Sequence, residues 1–103
     1  MLSIIKIIKI EDNVVEVFVR NGEISASIGD TYTKVYQLKA SDSIEDYAKS
    51  PILILQNIGI FNLKSINWYH KKVDTLDAGH TALVILETDH PEYLFEYCIL
   101  DNK

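Results

Sequence analysis

Residues 14–28 read VVEVFVRNGEISASI, two runs of alternating apolar and polar residues on either side of Asn21-Gly22. Asn-Gly is the dipeptide a two-residue type I′ turn favours, because both central residues take φ > 0. Folding the chain about that turn pairs Arg20 with Glu23, Val19 with Ile24, Val17 with Ala26 and Val15 with Ile28. Val15, Val17 and Val19 then share a face with Ile24, Ala26 and Ile28, and a one-residue slip would turn the whole set to water. The stretch therefore predicts a β-hairpin at the centre of a strand-rich fold.

Working outward toward the N-terminus, SIIKIIKI at residues 3–10 is rich in the β-branched residues that pack well on a sheet. A turn at Asp12-Asn13 sets Lys9 against Glu16, Ile10 against Val15, Ile8 against Val17 and Ile7 against Phe18, which makes a three-stranded meander. Gly29-Asp30 ends the third strand, and TYTKVYQLK at residues 31–39 alternates as a fourth. The pattern changes at SDSIEDYAKS (residues 41–50), where cap-type residues precede Glu45 and Asp46 and Ile44, Tyr47 and Ala48 fall on one helical face. The following PILILQNIG reads either way: Ser50-Pro51 suits a helix start and Gly59 a helix end, while ILIL also suits a buried strand.

Strands resume over residues 64–73, where Ile66, Trp68 and His70 share a face, and over TALVILET at residues 81–88. A turn at His90-Pro91 brings back residues 93–100 so that Leu86, Val84 and Ala82 face Phe95, Tyr97 and Ile99. The expected fold is a single α+β domain over residues 1–103. It is mainly antiparallel, with about seven strands, an N-terminal meander, a C-terminal hairpin and one helical segment near residues 41–58.

A chain of 103 residues, 48% hydrophobic and 24% charged, holds a core without metal or disulfide staples. The lone Cys98 forms no internal bridge and fits a reducing, cytoplasmic compartment. Lys6 and Lys9 interrupt the N-terminal apolar run, so it reads as neither export signal nor membrane span. The net charge is −5, and the excess lies in the last third. There Asp74, Asp77, Glu87, Asp89, Glu92, Glu96 and Asp101 stand against Lys103 alone. A phosphate backbone needs a basic footprint, which argues against nucleic acid or an anionic membrane for that region.

Catalytic signals are absent from the pattern. His70, His80 and His90, with nearby aspartates, lack the short ligand spacings of zinc sites. Cys98 lies among apolar residues, where a free cysteine acts as a small hydrophobe. The four glycines are scattered singly and make no phosphate loop. Trp68-Tyr69 followed by His70-Lys71-Lys72 places aromatics beside cations, but Trp68 shares the Ile66 face and reads as core. No catalytic, metal or cofactor residue is assigned, and the expectation is a binding protein rather than an enzyme.

The acidic third remains as the candidate site. Asp74, Asp77, Glu87, Asp89, Glu92 and Glu96 would form a negative patch that docks a basic protein partner. The plainer account is that these charges keep edge strands soluble. In its length, charge polarity and acidic segment from residue 74 to 101, the chain resembles the immunity proteins of bacterial contact-dependent growth-inhibition systems. That resemblance implies one-to-one inhibition of a cationic, nuclease-like toxin by a monomer or weak homodimer, with acidic side chains standing in for phosphates. Two alternatives stay open: a scaffold that self-associates through the IIKIIKI edge, and a small enzyme or ligand binder with no visible site.

Overall fold

A computed structural model of the chain describes residues 1–22, 24–39 and 52–102. The elements are β1 (Leu2–Glu11), β2 (Val14–Asn21), β3 (Ala26–Ser27), β4 (Thr31–Lys39), β5 (Ile52–Trp68), β6 (Lys71–Val73), β7 (Thr75–Leu76), β8 (Thr81–Thr88) and β9 (Ile99–Asp101). Among the described residues the only helical element is a 3-10 turn at Pro91–Tyr93. Six strands run β4-β9-β1-β2-β8-β5, and β5 closes the ring by pairing with β4. All pairings are antiparallel. The result is a closed β-barrel, with β6 extending one end of β5 and β3–β7 forming a separate small ladder. β4, β5 and β8 are neighbours in succession and β9 returns beside β4, which is a Greek-key order.

The expected α+β fold with a helix near 41–58 is thereby overturned. Residues 52–58 belong to β5, a 17-residue strand whose first half pairs with β4 and whose second half pairs with β8. Gly59 is not a helix end: it sits in this strand, where a Cβ would approach Phe61 Cε2 to 3.2 Å. The apolar run was ambiguous because periodicity alone does not separate a short buried strand from a helix; ladder bonds to β4 resolve it. The stretch 41–50 lies outside the described residues.

The Asn21-Gly22 hairpin is corrected as well. β2 ends at Asn21 and lies between β1 and β8, with Val15, Val17 and Val19 opposite Leu86, Val84 and Ala82. Ala26–Ser27 pairs instead with Thr75–Leu76. Gly22 does not adopt a positive φ; its N–H donates to the Met1 carbonyl at 2.9 Å. Asn21 is buried, and its amide donates to the Leu76 carbonyl at 2.7 Å and to the Ile24 carbonyl. The dipeptide thus anchors a crossing between strands of different sheets.

Other local readings hold. The strand bounds 31–39 and 81–88 match β4 and β8. The Asp12-Asn13 turn is present, with Lys9 opposite Glu16 and Ile10 opposite Val15. A bulge at Ile8 then shifts the register, so Ile7 rather than Ile8 faces Val17, and Lys6 faces Phe18. The C-terminal hairpin is not formed: after Pro91–Tyr93 the chain reaches β9, which pairs with β1 and β4 and not with β8.

The barrel interior is filled by inward residues of each strand, including Leu2, Ile4, Val17, Val35, Phe61, Leu63, Ile66, Val84 and Leu100, all at most 1% exposed. Tyr32 is 4% exposed among them. Its phenol is pushed up to about 12, first by burial and then by the charges of Asp30 and Asp101. A folded-state value raised above the unfolded one gives stability that is complete below pH ~10 and lost as pH climbs toward ~12. At about 1.4 kcal/mol per unit, full ionisation removes ~3 kcal/mol. Urea melts of the parent and Tyr32→Phe between pH 9 and 12 check this: the parent is expected to lose the greater stability across that window, and parallel curves would refute the assignment.

Candidate functional site

β8 stops at Thr88 while β5 continues below it, so the two strands part and open a notch of about 380 Å3. Its walls are Ile60 and Asn62 of β5, Glu87 to Asp89 at the end of β8, and Asn13 from the β1–β2 turn. The local causes are visible in the ladders. Lys34 pairs with Ile58 and Tyr32 with Phe61, so Gly59 and Ile60 form a bulge opposite Thr33. Bulges bend a strand and re-aim its side chains, and Ile58 and Ile60 are left 70% and 60% exposed. The Thr88 N–H donates to the Asn13 carbonyl at 2.8 Å and fixes the turn against the end of β8.

The structure brings two of the six sequence-predicted acids, Glu87 and Asp89, into this notch, with Glu92 on the turn that follows. Glu87 stands beside Asn62 in the β5–β8 ladder, and its carboxylate lies 4.0 Å from Lys64 Nζ. Asp89 accepts a long 3.5 Å bond from the Asn13 amide. Glu92 lies on the 3-10 turn, 3.1 Å from His90 Nδ1, and the His90 ring stacks on Tyr93 at 4.6 Å. A backbone hydrogen bond at Glu92 itself, followed by the His90 ring, holds its carboxyl below the usual glutamate value. The Lys64–Glu87 pair is half exposed, and such pairs are worth ~0–1 kcal/mol. The notch therefore keeps a negative rim around an apolar step.

The other three acids lie elsewhere. Asp77 sits in the turn before β8, whose His80 and Gly79 bond to the Asn21 backbone at the far end of β2. Asp74 follows β6, and its carbonyl accepts from the Ile28 N–H. Glu96 is exposed in the segment where Tyr97 N–H meets the Ile4 carbonyl. The expected single patch of six is thus divided: Glu87 and Asp89 line the notch, Glu92 lies on the turn that follows, and Asp74, Asp77 and Glu96 stand at three other places. Asn13, Ile60 and Asn62 had no signal in the sequence, because their convergence depends on which strand neighbours β5.

Comparison with protein-family models, curated proteins and solved structures finds no match. Chemistry within the chain carries the rest. Among the described residues no group of three or more His, Cys, Asp or Glu side chains is placed to hold a metal ion. Cys98 is fully buried, and burial pushes its thiol up, away from the reactive thiolate. Among the described residues no helix is long and apolar enough to cross a membrane.

Proposed function

We propose that this domain is a protein-binding inhibitor of the immunity type, acting in the cytoplasm, and that it seats a cationic segment of its partner in the Glu87–Asp89 notch. The observation that supports this reading is the notch itself: two carboxylates, Glu87 and Asp89, at one end of the barrel beside an exposed Ile58–Ile60 step. A charged rim speeds encounter with a basic partner, and a central apolar step supplies burial once docked. Binding of this kind needs no catalytic group.

Self-association through β1 is the weaker alternative. Past Ile4 the outer edge of β1 is unpaired among the described residues, but register shifts place bulges at Ile5 and Ile8, and Lys6 and Lys9 are exposed beside them. Bulges and lysines are the devices by which edge strands avoid pairing with other chains.

The test is capture from a lysate of the source cell at low salt, with the parent and with Glu87→Lys/Asp89→Lys side by side. Both changes fall on exposed side chains, so the variant is expected to melt within a few degrees of the parent. It is expected to lose the basic protein that the parent retains, or to bind it at least tenfold more slowly at low salt. Equal capture by the two proteins would remove the notch from the interface.

A further inference from the structure

At the opposite end of β8 the outer face of the barrel has a different chemistry. Trp68 pairs with Lys71, so β5 and β6 are joined by the two-residue turn Tyr69-His70. Both residues take left-handed φ, at 49° and 65°. Such conformations suit Asn-Gly and are strained for an aromatic residue, and strain of this kind gathers at functional positions. Tyr69 is 79% exposed, with the edge of Trp68 against it at 4.9 Å; Trp68 in turn stacks on His80 at 5.1 Å. The phenol ring is held outward from a packed aromatic base.

Beneath it runs a groove of about 370 Å3 lined by Phe18, Asn67, Tyr69, His70, Thr81 and Leu83. The ladders place Lys6, Phe18, Leu83, Asn67 and Lys72 in one continuous outward row across five strands. Arg20, opposite Thr81, begins the next row. Lys6, Arg20 and Lys72 are exposed, form no ion pair among the described residues, and share these positions with no carboxylate. Four inter-strand spacings of about 4.8 Å put Lys6 and Lys72 roughly 19 Å apart along the surface, beyond the reach of one nucleotide.

We propose that this face binds single-stranded nucleic acid, with a base stacked on Tyr69 over the groove and successive phosphates met by Lys6, Arg20 and Lys72. Stacking platforms flanked by cations bind single strands with little sequence preference, because every base offers a π-face. Asn67 and Thr81 supply donors and acceptors to a base edge inside the groove. Of the acidic third of the sequence, which argued against a nucleic-acid partner, Glu87 and Asp89 lie at the other end of β8. Asp77, in the turn before β8, and Asp74, two residues past Lys72, lie at this end, and among the described residues they pair with none of the three cations.

The test is fluorescence anisotropy of a labelled oligothymidylate titrated with the protein at low salt, with quenching of the single Trp68 as a second readout. Three phosphate contacts predict a slope of about −2 in log K against log salt. Tyr69→Gly relieves the left-handed strain, so it is expected to melt no lower than the parent while binding about 5- to 150-fold more weakly. Tyr69→Phe is expected to bind like the parent. Arg20→Ala/Lys72→Ala should flatten the salt slope. No binding at low salt overturns the proposal, as does equal binding by Tyr69→Gly or a salt slope that the cation variant leaves unchanged.

Discussion

Asn21→Asp is expected to melt more than ~15 °C below the parent at neutral pH and to recover part of that loss on acidification. The Asn21 side chain is 1% exposed and donates two hydrogen bonds, to the carbonyls of Ile24 and Leu76. Its backbone N–H donates to His80 and its backbone carbonyl accepts from Gly79. One residue therefore ties the end of β2 to β7 and to the turn before β8. A carboxylate in its place would turn one oxygen toward both carbonyls, leave the other where the amide oxygen is buried without a partner, and so bury a charge with nothing to pair it. Uncompensated buried charge costs about 3–5 kcal/mol, and a domain of this size shifts its Tm by about 4–8 °C per kcal/mol.

The sign of the pH effect follows from the same burial. The folded protein raises the pKa of the introduced carboxyl, because the neutral form alone is tolerated and can donate to a carbonyl. Stability is then greatest below the unfolded value of ~3.9 and falls as pH rises through the folded value. Asn21→Leu is the control. It leaves two carbonyls without their donor and is expected to cost ~2–4 kcal/mol, with no added pH dependence. Scanning calorimetry of both variants from pH 4 to 8 decides it: an Asn21→Asp curve parallel to the parent's would mean the amide contacts do not hold the crossing.

Asn21 also shows how far the sequence was legible. Strand identity came through wherever alternation was strong: inward Val15, Val17 and Val19, the full extents of β4 and β8, and the short β1–β2 turn. Partner choice did not. An Asn-Gly dipeptide announces a local hairpin, yet the inward valines of β2 lie against Leu86, Val84 and Ala82, some seventy residues away. The ladder with β8 runs from Val14 to Arg20, and no local pattern encodes a contact at that separation. The asparagine amide was then put to a different use. His90-Pro91 misled in the same manner, because a proline turn shows that the chain reverses without showing where it goes next.

The candidate site was half legible for related reasons. Glu87, Asp89 and Glu92 are near in sequence and stay near in space, whereas Asp74, Asp77 and Glu96 are carried off by β7, the turn before β8 and the approach to β9. Tyr69 was visible as an aromatic beside cations. Its role as an outward platform depended on a two-residue turn that β6 imposes three residues after Trp68. The row that supplies Lys6 exists only once β1, β2, β8 and β5 are laid side by side.

Phe61→Ala is expected to destabilise by ~3–5 kcal/mol, the second of the large effects. Phe61 is fully buried where β5 changes partners, opposite Tyr32 on β4 and Thr88 on β8. A void there loosens both ladders at the point where the ring closes. The position also has a built-in test of packing. A Cβ on Gly59 would meet Phe61 Cε2 at 3.2 Å and Cζ at 3.4 Å, so Gly59→Ala presses a methyl against the ring and costs ~1–3 kcal/mol alone. Combined with Phe61→Leu, which removes those ring atoms, it is expected to cost clearly less than the sum of the two single changes. Contacting residues show interaction energies of about 0.5–3 kcal/mol in such cycles. Additive urea midpoints across the cycle would mean that the ring does not pack over the Gly59 bulge, and the notch walled by Ile60 would lose the contact that sets its shape.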